Sequence, residues 1–151
     1  MKYSSSIQRE GPVSTTQLHS DCIMCGNENP FGFKLSYRCT GEGSVEATVN
    51  ISPRFQGYHG LVHGGVIACL LDSAMAQCLL KDSIPAVTGD LNIRYRLPVP
   101  IQQDLLLRGE KIEQRNSLYM MKAVLSMENK LLATATARFM YAPETIYANR
   151  Y

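Results

Sequence analysis

Read for the spacing of apolar and polar positions, the chain separates into one helical stretch and a series of short strands. From Val66 to Leu80 the sequence "VIACLLDSAMAQCLL" is apolar almost all the way round, broken only by Asp72, Ser73 and Gln77. That pattern predicts a helix buried on every side. The strand signals are shorter. "FKLSYRC" and "SVEATVNI" alternate around "TGEG" and predict a first hairpin. Beyond the helix come "AVTGDLNIRYRL", stopped by Pro98 and Pro100, then "DLLLRGEKIE", "LYMMKAVLSM" and "KLLATATARFMY". Each is rich in strand formers and bounded by polar residues or proline. "MENK" (127–130) predicts a tight turn between the last two.

About six strands and one long helix, placed after the second strand, give no βαβ alternation, so the sheet should be antiparallel. An antiparallel sheet buries one face and an apolar helix needs covering. The expected class is therefore α+β, with the sheet curled around the helix. Residues 1–20, rich in Ser, Thr and Gln, read as a mobile arm, 21–141 as one domain and 142–151 as a short tail. "CIMCGNENPFG" (22–32) is turn chemistry, and "SPRFQGYHGLVHGG" is an irregular loop leading into the helix.

Composition narrows the function classes. A chain of 151 residues, 45% hydrophobic and 19% charged, suits one globular domain. A net charge of +2 without a basic run gives no reason to expect nucleic acid. The absence of an apolar run of about eighteen residues or a signal-like leader leads to the expectation of no membrane partner. Five cysteines, an odd number, suit reduced thiols and a cytoplasmic location.

Two features of the helix call for chemistry. It opens on Gly64 and Gly65, poor helix formers. A first-turn N–H has no intrahelical partner and sits at the positive end of the dipole. At a glycine a ligand can approach it closely, and it can hold a carbonyl oxygen that gains charge during acyl transfer. The plain alternative is a tight loop-to-helix turn. Asp72 has Ala68, Cys69, Met75 and Ala76 as helical neighbours, none able to pair with a charge. Such a carboxyl either finds polar company elsewhere or has its pKa raised, as a general base near neutrality requires. Gly65 and Asp72 lie about 10 Å apart along a helix. One scissile carbonyl can meet both only if they come from two subunits.

"GLVHGGVIACLLDSAMA" resembles the HGG-x(6)-D signature of hotdog-fold acyl-CoA thioesterases of the phenylacetate-pathway type. "CIMCGNENPFGFKL" and "AVTGDLNIRYRLPVP" resemble a subgroup of that family, so the likeness runs over about residues 22–141. It implies a hotdog fold, pairing of subunits into a continuous sheet as a dimer or tetramer, and hydrolysis of an acyl-CoA thioester at the dimer interface without metal or cofactor. By position, Asp72 is the implied base or nucleophile. The Gly65 N–H is the implied carbonyl polariser, His63 shapes the loop, and Gly64 helps clear room for the substrate. Many relatives carry an Asn six residues before the HGG histidine. Here that position is Gly57, preceded by Gln56 as the substitute amide.

Strict alternation in "DLNIRYRLP" turns Leu91, Ile93, Tyr95 and Leu97 toward the helix. Asp90, Asn92, Arg94 and Arg96 then face away, where the arginines and Asn92 could meet CoA phosphates or simply form a solvated face. Arg54 and Lys81 are weaker phosphate candidates. His19, Cys22 and Cys25 have the spacing of half a zinc site, but with no second CxxC the reading favours turn thiols over a metal. His59 and His63 read as loop histidines. Two rivals to the hydrolase remain. One is a hotdog module that binds acyl-CoA without cleaving it, favoured by Gly57. The other is a hydratase or dehydratase, echoed by "AMAQ" but lacking a loop histidine near Arg54.

Overall fold

The structure, a computed structural model, describes residues 18–148; the arm expected over 1–20 lies almost wholly outside them. Six strands form one antiparallel sheet: β1 (Arg38–Gly41), β2 (Ser44–Asn50), β3 (Ala86–Tyr95), β4 (Asp104–Arg115), β5 (Leu118–Met127) and β6 (Lys130–Tyr141). Their spatial order is β1-β2-β4-β5-β6-β3. The helix α1 (Gly64–Lys81) lies against the sheet, and a short α2 (Pro143–Ala148) occupies the expected tail.

The last three strands follow the period-two pattern closely. Tyr119, Met121, Ala123 and Leu125 of β5 are buried, as are Ala133, Ala135, Ala137 and Phe139 of β6. Their turn is tight, because Glu128 (φ 47°) and Asn129 (φ 66°) both adopt the left-handed conformation that two-residue hairpins need. The core closes between these strands and Leu70, Leu71, Ala74 and Met75 of α1. Gly109 of β4 sets how near the helix comes: a Cβ there would lie 2.3 Å from the Ala74 carbonyl oxygen.

Three expectations change. The first strand begins only at Arg38, since residues 33–37 run irregularly and tie back through Phe33 N–H to Ile23 O and Leu35 N–H to Met24 O. α1 is not buried on every side. The sheet covers one flank, leaving Gly65 and Cys69 exposed and Ala68, Asp72 and Ala76 half-buried in a strip one helical face wide. In β3, Leu91 and Ile93 are half-buried as predicted, but Tyr95 (52% accessible) is exposed, as is Leu97 (47%), which lies beyond the end of the strand. β3 is a sheet edge, paired only with β6 among the described residues.

Candidate active site

The loop 52–63 delivers the chain to α1 in a fixed conformation. His63 is the N-cap in extended geometry (φ −60°, ψ 136°), and its Nδ1 accepts the Gly65 N–H at 2.9 Å. A capping acceptor of this kind satisfies one of the bare amides at a helix start. The neighbouring Gly64 N–H, at the first helical position, donates to no acceptor among the described residues. The N–H assigned to a carbonyl by sequence is therefore held by His63, while the one before it is open. Tyr95 reaches across from β3 and donates its hydroxyl to Gly64 O at 2.9 Å, tying the helix start to the sheet edge.

Beside this turn lies a cleft of about 730 Å³, a size that suits a small-molecule ligand. Its walls include Tyr58, Ile67, Tyr95 and Leu97, with His63 and Gly64 at the helix end and Arg96 as the charged group. Of the three polar candidates Asn92, Arg94 and Arg96, only Arg96, just past the end of β3, borders it. Asn92 and Arg94 are exposed elsewhere on the strand. Gln56 is not in the wall either, and its Oε1 accepts the Gly60 N–H at 3.1 Å, bracing the loop. Gly57 does border the cleft, and a Cβ there would sit 3.3 Å from His63 Cα, so the backbone is closely packed at the position where the resemblance leads one to expect an amide. His59 and Arg54 are exposed loop residues, and Lys81 donates to Tyr37 O at 2.9 Å.

Asp72 stands two turns further along the exposed strip and does not line the cleft. Burial pushes its carboxyl upward from the ordinary value. A hydrogen bond from Thr88 pulls the other way, and the charge of Cys22 adds to the rise. The Thr88 hydroxyl donates to Asp72 Oδ1 at 2.8 Å. Strict alternation turns position 88 away from the helix, so sequence reasoning missed it. The β3–β6 register slips between Thr88 and Asp90, and such a bulge re-aims the side chains before it. The signal in the sequence was Gly89, a glycine inside a strand pattern. Asp90 itself pairs with Arg138 on β6.

A second cluster lies at the other end of the helix. His19 Nδ1 is 3.3 Å from Cys25 Sγ, and Gln77 of α1 donates to the same sulfur at 3.1 Å. Hydrogen bonds from Cys25 and then His19 hold the Cys22 thiol well below its ordinary pKa. The bond to Cys22, followed by burial, pushes Cys25 up. Cys39 is exposed on β1 and takes no part.

A six-stranded antiparallel sheet laid along one long helix, with a glycine turn at the helix head and a carboxyl on its open face, is the hotdog fold. Residues 59–133 match the thioesterase superfamily. Acyl-coenzyme A thioesterase THEM4 of Mus musculus is 36% identical over 88 residues, which are 56% of this chain and 37% of the mouse protein. The chain thus spans less than half the length of that curated relative. Among solved structures, a thioesterase superfamily protein shares 26% identity at a TM-score of 0.72, covering 76% of this chain and 60% of its own. The phenylacetic acid degradation-related protein of Ralstonia eutropha JMP134 shares 26% identity at a TM-score of 0.66, covering 72% and 85%.

Proposed function

We propose that this chain hydrolyses an acyl-CoA thioester to the free acid and CoA, at a site shared between two copies. The observation that carries this reading is the pairing of an open N–H at the head of α1 with a half-buried carboxyl of raised pKa on the uncovered face of the same helix. Their separation of about 10 Å on one chain keeps them from one carbonyl. The strip from Gly65 to Ala76 and the free edge of β3 supply the surfaces on which a second copy would sit, so that its Asp72 faces the first copy's glycine turn. Dimer or tetramer are both compatible with this pairing.

In that arrangement the thioester carbonyl enters beside Gly64. The open N–H, reinforced by the helix dipole, holds the oxygen as charge builds on it. Gly65 N–H joins only if the His63 ring turns away. Asp72 of the other copy takes a proton from water, and the hydroxide adds to the carbonyl carbon. Collapse breaks the carbon–sulfur bond, and the proton on Asp72 goes to the departing CoA sulfur. Direct attack by Asp72 would pass instead through an anhydride; water opening it at the aspartyl carbonyl would leave ¹⁸O in Asp72 after a single turnover in labelled water, which the base route never does. Arg96, at the rim of the cleft, is the cation placed to meet a CoA phosphate. Tyr58, Tyr95 and Leu97 offer the apolar wall for pantetheine or acyl chain.

The second reading is a module that binds acyl-CoA without cleaving it. Gly57, which supplies no amide at the position where the resemblance expects one, favours it. Thiol release from short, medium, long and aromatic acyl-CoAs decides between the two. Turnover abolished in Asp72→Asn supports hydrolysis; tight binding with no release from either protein leaves the binding module.

A further inference from the structure

His19, Cys22 and Cys25 do not border the cleft at the head of α1, yet the cluster is built to a pattern. The nitrogen and the two sulfurs all lie within 4.8 Å of one another. With zinc–nitrogen and zinc–sulfur bonds of about 2.05 and 2.3 Å, a tetrahedral site has N···S and S···S edges of about 3.6 and 3.8 Å. The 3.3 Å between His19 Nδ1 and Cys25 Sγ falls close to such an edge.

The turn that carries the ligands is locked before any ion arrives. Cys22 N–H donates to His19 O at 3.1 Å, Gly26 N–H to Cys22 O at 2.9 Å, and Met24 N–H to Cys22 Sγ at 3.4 Å. Gly26 is packed so tightly that a Cβ would lie 2.4 Å from both Cys22 N and Ser20 O. Gln77 holds the Cys25 sulfur from the core helix. Hydrogen bonds of this kind, from outside the ligand set, orient thiolates for a metal. The sequence argued against a metal because it offers three local ligands and no second CxxC. The geometry shows that three already converge and that a cleft of about 280 Å³, bordered by His19, Cys25 and Gln77, opens beside them.

We propose that His19, Cys22 and Cys25 bind one thiophilic divalent cation, Zn²⁺ foremost, with water in the fourth position facing that cleft. Binding replaces the thiol protons: the two sulfurs enter as thiolates and up to two protons leave to solvent. The ion closes the turn 19–25 on itself, and hydrogen bonds tie that turn and the chain after it to the Ser73–Lys81 half of α1. Gln77 already bonds Cys25 there, and Tyr37 donates to Ser73 Oγ at 2.9 Å.

The test is a Co²⁺ and Zn²⁺ titration of the full chain, stripped with chelator and kept reduced, with all five thiols counted beforehand. The expected result is one equivalent of Co²⁺ per chain with thiolate charge-transfer and tetrahedral d–d bands. Zn²⁺ should displace it and raise Tm, and two thiols should become protected from alkylation. Cys22→Ser and His19→Ala should lose the spectrum, and Cys39→Ser and Cys69→Ser should keep it. Folded wild-type protein that takes up no Co²⁺ overturns the proposal, as does a spectrum that survives Cys22→Ser with Cys25→Ser. The wild-type titration decides even if a variant fails to fold.

Discussion

Gly64→Pro removes a single N–H from the helix head and almost nothing else. Position 64 is the first residue of α1, where proline is favoured because its missing N–H has no intrahelical acceptor. His63 already sits at ψ 136°, inside the range a following proline demands. The added Cβ would meet the Tyr95 ring at 3.8 Å, an ordinary contact, and Gly64 O keeps its hydrogen bond from the Tyr95 hydroxyl. The fold therefore loses no hydrogen bond, and the stiffer unfolded chain should add about 0.4–1 kcal/mol of stability. Catalysis should suffer far more. Removing one donor from an oxyanion site costs about 3–4 kcal/mol, or ~10²–10³ in kcat. The assay is thiol release by the wild type, Gly64→Pro and Gly64→Ala, alongside thermal unfolding. Gly64→Ala keeps the N–H and reports the steric part alone. Gly64→Pro that is folded and turns over at the wild-type rate would refute the assignment.

Asp72→Asn should lower kcat by at least ~10² while folding normally. Its stability should move the other way. The raised carboxyl contributes stability that is full below the unfolded pKa and lost as pH rises through the folded one. At neutral pH the charged form costs stability that Asn relieves, so Tm should equal or exceed the wild type at pH 7, the advantage vanishing in acid. Thr88→Val deletes a hydrogen bond to that carboxylate, worth about 1.5 kcal/mol at the low end because Thr88 is exposed. The kcat/KM profile should fall roughly tenfold on its acid side and rejoin the wild type at high pH; superimposable profiles would remove Thr88 from the mechanism. Gly109→Ala forces a methyl group onto the Ala74 backbone and should destabilise by about 2–3 kcal/mol in denaturant unfolding.

Much of this was legible in the chain. The β5–β6 hairpin was placed to the residue, because both strands are long runs of strand formers and a short polar turn separates them, with Glu128 and Asn129 taking positive φ. Asp72 stood out because nothing one helical turn away could pair with it. What failed did so for physical reasons. Period-two reasoning breaks at a bulge, so Gly89 hid Thr88. An apolar helix face is the same in sequence whether its own sheet or another molecule covers it, so the strip at Cys69 and Asp72 read as core. The choice between Gly64 and Gly65 depended on where the His63 ring points, which no spacing encodes.

The central claim is that each site takes its N–H from one copy and its carboxyl from another, and mixing tests it directly. Asp72→Asn and Gly64→Pro should each be inactive alone. Unfolded together at equal concentration and refolded, half the dimers should be mixed, each with one intact site and one doubly altered. Thiol release should then recover to roughly a quarter of the wild-type rate. Recovery near that fraction is the result the account predicts. A mixture that forms hybrid dimers by mass spectrometry and stays as inactive as its parents would place both groups in a single chain's site and contradict it.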